Sequence, residues 1–336
     1  MKTNQIIAIA VVILVVAGAG VLFTVNKNNN RHEYQDKVIP DSDYYPVSIT
    51  TTSSATGDHK QTFYEAPERI VVIFPTNVEL LCYFGLEDRI IGAFSSATAT
   101  MLFAEHQEKY DAIEKISAGA SIERMRSLEP DLIIAWTSTF TESRQGTVDM
   151  WNNYGINCMI TNRPAVTVDD YLKVLRDIGT IFNMNGTAAK KIADFTSAYD
   201  DIEKRTANLT NDQKVKALVL EPGYDTGCYA YGATFLTGDL VTRAGGINLF
   251  PGSMEMVTFE QVVKYDPDVV IIVPDYSGPL QTAAYSVAEF RAIPGFASMR
   301  AVVEDRVIGF EFYEIYMGGF FPDDVLDRIF KALYPD

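Results

Sequence analysis

Ser121-Ile-Glu-Arg-Met-Arg-Ser-Leu-Glu-Pro-Asp-Leu-Ile-Ile134 and Thr258-Phe-Glu-Gln-Val-Val-Lys-Tyr-Asp-Pro-Asp-Val-Val-Ile271 are two copies of one fourteen-residue pattern. Each copy starts with a hydroxyl residue that can cap a helix, continues as a short helix that ends before a proline, and enters an apolar run typical of a buried strand. A repeat of this length, with one copy in each half of the chain, predicts two lobes of related construction. Two similar lobes form a cleft between them, and a cleft is the usual place for a ligand site.

Short apolar runs and helical segments alternate around both copies. In the first half, residues 67–75 and 89–94 are predicted strands, and the segment between them is a predicted helix that ends at Gly85. Further elements of this half are helices at 122–128, 147–154 and 169–182 and strands at 132–136 and 157–161. The second half has predicted strands at 215–220, 269–274 and 306–310 and predicted helices at 237–244 and 323–333. This alternation is typical of an α/β fold, with a parallel sheet and helices on both faces in each half.

A long amphipathic helix is predicted between the halves, at residues 187–206, where apolar residues form one stripe and charges lie opposite. A helix of about twenty residues is roughly 30 Å long and suits a stiff connection between lobes. We therefore predict an N-terminal α/β lobe at 66–185, a bridging helix at 186–207 and a C-terminal α/β lobe at 208–336.

The N-terminal segment predicts that the chain leaves the cytoplasm. Residues 6–25 are an uninterrupted run of apolar and small residues, which as a helix is long enough to cross a bilayer. The same run also fits a long signal peptide, so residues 1–30 are assigned to a signal peptide or a membrane anchor. The first cysteine of the chain is Cys82, far beyond this run, so a bacterial-type lipid anchor is not available. Residues 31–65 are polar and short of apolar periodicity, and we predict a polar linker there.

Charge and motif content exclude several classes of protein. The net charge of −16 disfavours nucleic acid as a partner, because a protein that binds nucleic acid requires a basic surface. The three cysteines and three histidines are scattered without metal-ligand spacing, so no resident metal and no covalently bound cofactor are expected. The sequence contains no GxSxG, HExxH, P-loop or CxxC motif, which argues against an enzyme.

Several motifs occur together in one order: Gly85-Leu-Glu-Asp-Arg-Ile-Ile-Gly92, both copies of the repeat, Ala244-Gly-Gly-Ile-Asn-Leu-Phe250 and Ala301-Val-Val-Glu-Asp-Arg-Val307. With these motifs the chain, from about Pro67 to its end, resembles the substrate-binding proteins of ABC importers for cobalamin, haem and ferric siderophores, especially the cobalamin-binding type. The resemblance implies two Rossmann-like lobes with parallel sheets, joined by one long helix and showing little hinge motion. It also implies a monomer whose partner is an ABC permease dimer with its ATPase. The apolar run at residues 6–25 predicts that the protein works outside the cytoplasm, tethered to the membrane by this N-terminal hydrophobic helix.

Glu123 and Glu260 occupy equivalent positions in the two copies of the repeat. Each lies in the first turn of its helix, where the helix dipole stabilises a carboxylate, so both are explained as favourable helix starters without any partner. The resemblance implies more, because matching glutamates of the family dock onto arginines of the permease. We therefore predict that Glu123 and Glu260 are permease-docking residues.

The ligand site is predicted in the loops at the carboxyl ends of the strands, which face the cleft in open α/β sheets. The predicted ligand-binding residues are Pro75, Thr76, Ser96, Ala118, Trp136, Phe140 and Arg144 in the first lobe and Tyr229, Tyr231, Met254, Tyr276, Phe312 and Tyr313 in the second. The many aromatic side chains would suit a flat, apolar macrocycle. Ala118 and Met254 stand where the cobalamin-binding type has aromatic residues, so the ligand stays open among a cobamide, haem and a ferric siderophore.

The predicted function is that of an extracytoplasmic substrate-binding protein that captures a small-molecule metal chelate in the inter-lobe cleft and delivers it to the permease. The alternative is a metallo-cofactor enzyme, such as a chelatase, on the same architecture. Such an enzyme would need His, Cys or Glu ligands that converge in the cleft. A third possibility, an adhesion or sensor ectodomain, gives no role to the paired glutamates.

Overall fold

The computed structural model of the chain describes residues 43–94, 106–117, 119–162, 167–274, 283–315 and 322–335, which belong to one compact unit. The predicted signal peptide or anchor at 1–30 lies outside these residues. Within the described ranges, no helix has both the length and the hydrophobicity that crossing a bilayer requires.

A β-hairpin precedes the first lobe, formed by β1 (Val47–Ser53) and the antiparallel β2 (Gly57–Phe63). The prediction of an unstructured polar linker is therefore wrong for these residues. The inward face of the hairpin buries the polar residues Thr51 and Gln61 beside the apolar Ile49 and Phe63, so the sequence lacks the continuous apolar alternation that marks a strand. These side chains are buried because they bond to an edge strand: the Oγ1 of Thr51 accepts from the amide of Ile160 at 2.8 Å, and the Oε1 of Gln61 accepts from that of Cys158 at 2.9 Å.

The first lobe is a parallel sheet in the order β5-β4-β3-β6-β7, with the hairpin beside β7. Its strands are β3 (Ile70–Val72), β4 (Ile90–Phe94), β5 (Lys115–Ile116), β6 (Leu132–Trp136) and β7 (Asn157–Asn162). Its helices are α1 (Pro75–Tyr83), α2 (Gln107–Ala112), α3 (Ile122–Arg126), α4 (Val148–Asn153) and α5 (Val168–Ile181). The parallel sheet predicted for this lobe is confirmed. Its strands are almost wholly buried, as expected for a sheet covered on both faces.

Helix α6 (Asn185–Thr206) leads into the second lobe. The strands of this lobe are β8 (Lys216–Tyr224), β9 (Gly227–Tyr231), β10 (Ile247–Asn248), β11 (Met254–Thr258), β12 (Val269–Ile272) and β13 (Val307–Gly309). The helices are α7 (Leu236–Arg243), α8 (Phe259–Tyr265), α9 (Ala283–Ala292), α10 (Arg300–Val303), α11 (Phe312–Ile315) and α12 (Pro322–Leu333).

The sheet of the second lobe is mixed, whereas the sequence predicted a parallel one. Strands β8, β12 and β13 are parallel and β10 pairs parallel with β8, but β9 runs antiparallel to both β8 and β11. The cause is the tight turn at Asp225 and Thr226 between β8 and β9, since a two-residue turn can join only antiparallel strands. Tyr229 and Tyr231, predicted as ligand contacts in a strand-end loop, thus lie in an additional strand, β9.

The two lobes share one hydrophobic core. It runs from the first lobe through α5 and α6 to α7 and α12, and its buried members include Ile178, Phe195, Leu240 and Ile329. The opposite face of each sheet has a separate core of its own. A core that continues from lobe to lobe disfavours independent movement of the two halves, because separation would expose apolar surface to water.

Polar contacts reinforce this junction between α5 and α7. The Oδ2 of Asp239 in α7 accepts a hydrogen bond of 2.9 Å from the amide of Val168, the first residue of α5. Arg243 donates from Nε to Asp239 and from Nη2 to Asp169, each at 3.0 Å. We call Asp169, Asp239 and Arg243 the inter-lobe clamp.

Candidate functional site

An aromatic pair marks the carboxyl edge of the first sheet. Trp136 is the last residue of β6, and Phe74 lies between β3 and α1. Their rings stack with centroids 3.8 Å apart and planes at 14°. Neighbouring parallel strands end at the same edge, so the pair presents one flat apolar wall there.

The backbone of Phe74 is in a conformation that only glycine adopts easily. Its φ is 77° and its ψ is 131°. For a residue that has a side chain, this conformation raises the free energy by about 1–3 kcal/mol. Strain of this kind persists only where the surrounding structure imposes it, and it is concentrated at functional sites. Phe74 is not among the residues predicted from the sequence, because a backbone angle is not readable from residue types; its place between a buried strand and Pro75 is the one signal that the sequence offers.

Polar residues lie beneath this wall at the start of α1. The amide of Asn77 donates from Nδ2 to the carbonyl of Ile73 at 2.7 Å, and Thr161 donates to its Oδ1, also at 2.7 Å. These bonds tie α1 to β7 and fix the strand end on which Phe74 sits. Thr76, a predicted ligand contact, is only 2% exposed, so it lies below the surface. Pro75 begins α1, and its side chain is outside the described part of the structure.

Of the other predicted contacts in the first lobe, Phe140 and Arg144 follow β6. Phe140 is fully buried against Val148 and Trp151, so the structure contradicts its predicted place on the cleft surface. The short 310 turn at Thr137–Thr139 directs the chain inward there, and the indole of Trp151 donates to the carbonyl of Gln145 at 2.8 Å to hold the loop. Arg144 is exposed in the same loop and is free to approach a ligand.

The second lobe presents a different wall, formed by β9 and β11. Cross-strand register places Met256 opposite Tyr229, and Tyr229 opposite Glu221 of β8. Met254 and Met256 are 40% and 42% exposed on one face of β11, because residues two apart share a face. Tyr224 packs edge-on against Tyr229 with ring centroids 5.0 Å apart. Exposed thioethers beside tyrosines form an adaptable apolar surface.

A carboxylate lies beneath this wall. Glu221 is only 5% exposed, and its Oε1 accepts a hydrogen bond of 2.8 Å from the hydroxyl of Tyr224. Its Oε2 accepts from the hydroxyl of Tyr231. Tyr231 is itself 1% exposed, so the structure contradicts a surface position for this predicted ligand contact: its ring belongs to the core and its hydroxyl holds Glu221. The predicted strand ends at Leu220, whereas β8 continues to Tyr224, so Glu221 is not among the predicted site residues.

The remaining predicted contacts cannot be placed. Ser96, Ala118 and Tyr276 lie outside the described residues, as do the side chains of Phe312 and Tyr313 in α11. The structure thus brings together Trp136 with Phe74 on one lobe, and Tyr229 and Met254 with Tyr224 and Met256 on the other.

Glu123 and Glu260 are exposed in the first turns of α3 and α8. Ser121 caps α3 by accepting from the amide of Arg124 at 3.2 Å, and Thr258 caps α8 by accepting from that of Gln261 at 3.3 Å. The pKa of each glutamate is lowered, first by a hydrogen bond from its own backbone amide and then by the hydroxyl of the cap residue. Both are therefore held as carboxylates by the same local geometry.

No group of three or more His, Cys, Asp or Glu side chains suited to a metal ion occurs among the residues placed in the structure. Cys82, Cys158 and Cys228 are free and buried. Burial raises the pKa of Cys82 and of Cys228 to about 12 and that of Cys158 well above its usual value, so all three thiols stay protonated.

Comparison with known sequences finds relatives along most of the chain. The family model of periplasmic binding proteins matches residues 70–313. An uncharacterised ABC transporter substrate-binding lipoprotein of Bacillus subtilis, YvrC, is 22% identical over 311 residues, which cover 92% of each chain. A vitamin B12-binding protein of Pectobacterium atrosepticum is 23% identical over 220 residues, which cover 62% of this chain and 72% of that protein.

Solved structures with the same fold support this match. A periplasmic binding protein from Veillonella parvula superimposes with a TM-score of 0.76 at 24% identity, covering 90% of this chain and 96% of that one. An ABC-type Fe3+-hydroxamate transport system protein from Saccharomonospora viridis gives a TM-score of 0.68 at 22% identity, covering 86% and 99%. At these identities the likeness establishes the fold.

Proposed function

The chain belongs to the periplasmic binding protein family, and from this premise we propose that it is the substrate-binding protein of an ABC importer that captures a metal chelate between its lobes. The chelate is a cobamide, haem or a ferric siderophore. The partners are an ABC permease dimer and its ATPase, to which the protein delivers the chelate as a monomer. It works outside the cytoplasm, tethered by residues 6–25.

One observation carries this proposal: each lobe exposes an apolar wall, which lies at the carboxyl edge of the first sheet and on the outer strands β9 and β11 of the second. The first wall is the stacked pair Phe74 and Trp136, and the second contains Tyr229, Met254 and Met256. Flat, apolar walls suit a macrocyclic or aromatic chelate, because they cover its faces without requiring a fixed pattern of hydrogen bonds. Family membership also favours this function over the chelatase alternative.

The two exposed glutamates support the second part of the proposal, which is delivery of the chelate to a permease. Glu123 and Glu260 are equivalent in the repeat, are capped in the same way and are kept ionised by the same local bonds. Two matched carboxylates on two lobes fit a permease that presents two equivalent basic sites. Charge pairs of this kind orient and steer a complex even where they add little affinity.

Ligand titration tests the proposal directly. The full chain is titrated with cyanocobalamin, ferric haem and ferric siderophores, and binding is followed by visible absorbance and calorimetry. We expect one class of chelate to bind, and Trp136→Leu to weaken it by about tenfold or more through loss of the stacked wall. Tyr154→Leu is the matched control, since Tyr154 is an exposed aromatic residue of the same lobe that stacks on Arg126. Failure of all three classes to bind would refute the proposed function.

A further inference from the structure

Phe74 and Trp136 stack in an arrangement that neither the rings nor the backbone favour. The ring planes are 14° apart and the centroids 3.8 Å apart, which is close to face-to-face. Aromatic pairs prefer offset or edge-on packing, so this pair gains less than the usual attraction between rings. The φ of Phe74, 77°, is in the left-handed region that favours glycine. Two disfavoured features at one residue indicate that the surrounding structure imposes the position of this ring.

The proline after Phe74 shows which backbone conformation this residue would otherwise adopt. A residue before proline prefers an extended backbone, with φ of about −120° and ψ of about 120° to 160°. Pro75 follows Phe74, whose ψ of 131° already lies in this preferred range. Only φ departs from it. A turn of the peptide between Ile73 and Phe74 would therefore relieve most of the strain.

Two hydrogen bonds hold this peptide in its strained orientation. The Nδ2 of Asn77 donates to the carbonyl of Ile73 at 2.7 Å, and Thr161 donates to the Oδ1 of Asn77, also at 2.7 Å. Asn77 is only 2% exposed, so water does not compete for these bonds. The backbone before Phe74 is thus held by buried contacts, whereas Phe74 itself is only half-buried at the carboxyl edge of the sheet.

Building on the proposed function, we propose that the Phe74 ring is a placeholder, which covers Trp136 while the cleft is empty and leaves when a chelate with a flat conjugated face stacks on Trp136 instead. In the ligand-free protein the ring shields apolar surface of Trp136 from water. When the ring leaves, the peptide between Ile73 and Phe74 turns and the backbone strain is relieved. This relief offsets part of the lost stacking and of the broken hydrogen bond to Asn77.

A placeholder makes Phe74 a determinant of specificity. A chelate replaces the ring only if it offers Trp136 a flat surface at least as large as a phenyl ring, because otherwise more apolar surface is exposed than covered. Haem and the corrin ring of a cobamide have such a face, whereas a linear hydroxamate siderophore has none. A placeholder at this position therefore favours a macrocyclic chelate over a hydroxamate.

Calorimetric titration of the full chain with ferric haem, cyanocobalamin and a linear ferric trihydroxamate tests the placeholder. We expect Phe74→Ala to bind its macrocycle about three- to tenfold more tightly than wild type does, since the ligand no longer has to displace a ring. Whichever macrocycle shows this gain identifies the ligand class, and affinity for the hydroxamate should not increase. Tyr64→Ala is the control, because Tyr64 is an aromatic residue that is 79% exposed and makes no part of the stacked pair.

A double-mutant cycle isolates the contact between the two rings. If Phe74 acts by covering Trp136, the gain from Phe74→Ala should disappear in a Trp136→Leu background. Circular dichroism and thermal unfolding confirm that each variant is folded. Weaker or unchanged binding of the macrocycle by Phe74→Ala would overturn the inference, as would binding of the hydroxamate alone; in both cases the proposed function stands. Failure of every probe to bind both wild type and Phe74→Ala would overturn the two together.

Discussion

Glu123 and Glu260 owe their ionised state to local helix geometry, which is why a sequence repeat was enough to find them. A cap hydroxyl and a free backbone amide at the start of a helix stabilise a carboxylate wherever they occur. The sequence could not locate Phe74 or Glu221 in the same way. One depends on a backbone angle and the other on two tyrosines brought together by a hairpin turn, and both are consequences of tertiary structure.

The docking role of the glutamates predicts a separation of uptake from ligand binding. Glu123→Ala combined with Glu260→Ala should reduce uptake of the chelate by about tenfold or more, because permease contact loses both charge pairs, while ligand affinity stays unchanged. Uptake by cells and calorimetry on the purified chain measure the two properties. Glu108→Ala combined with Glu304→Ala is the control, since both are exposed glutamates that belong to neither α3 nor α8. Lost ligand affinity in the test pair would contradict the docking role.

The backbone strain at Phe74 predicts that two substitutions at this position differ in stability. Phe74→Ala and Phe74→Gly both remove the stacked ring, but only glycine adopts a φ of 77° without strain. We expect the glycine variant to be more stable than the alanine variant by about 1 kcal/mol, since relief of strain exceeds the added entropy of the unfolded chain. Urea unfolding of both variants measures the difference. If alanine were the more stable of the two, the backbone at this position would not be strained.

At the scale of elements, the sequence predicted the segments that form through apolar periodicity and missed those that form through polar contacts. Predicted strands at 132–136 and 157–161 correspond to β6 and β7, and the predicted helix at 323–333 corresponds to α12. The hairpin of β1 and β2 was missed, because threonine and glutamine are buried there only through bonds to the edge of the first sheet. Nothing in the hairpin sequence specifies which amides it will meet.

The hydrogen bonds between the hairpin and the edge strand β7 predict that substitutions of two neighbouring threonines lower the free energy of unfolding by different amounts. Thr51→Ala removes the acceptor of the Ile160 amide and should lower the free energy of unfolding by about 1–3 kcal/mol, since a buried donor is left without its partner. Thr50→Ala changes the exposed face of the same strand and should cost less than about 0.5 kcal/mol. Urea unfolding measures both, and hydrogen exchange at Ile160 should accelerate only in Thr51→Ala. Equal costs would show that the hairpin does not cap the edge.

At the scale of the whole molecule, the continuous core and the inter-lobe clamp act together to fix one lobe against the other. Asp239 makes two contacts at this junction: it accepts a hydrogen bond from the first amide of α5 and another from the Nε of Arg243. Asp169 makes only the outer contact to Arg243, and its side chain is 75% exposed. Solvent screens such an outer pair, so most of the stabilisation by the clamp should come from Asp239.

The clamp therefore predicts that substitution of Asp239 lowers stability more than substitution of Asp169. Asp239→Ala should lower the free energy of unfolding by about 1–3 kcal/mol and accelerate hydrogen exchange at the start of α5, since it leaves both the Val168 amide and the Arg243 guanidinium without this partner. Asp169→Asn, the matched control, should change stability by less than about 0.5 kcal/mol. A protein whose lobes are held in this way can form its ligand site before the ligand arrives, so the loosened variant should bind its chelate more weakly, and mainly through a slower association. Unchanged exchange at α5 in Asp239→Ala would show that the shared core alone holds the lobes.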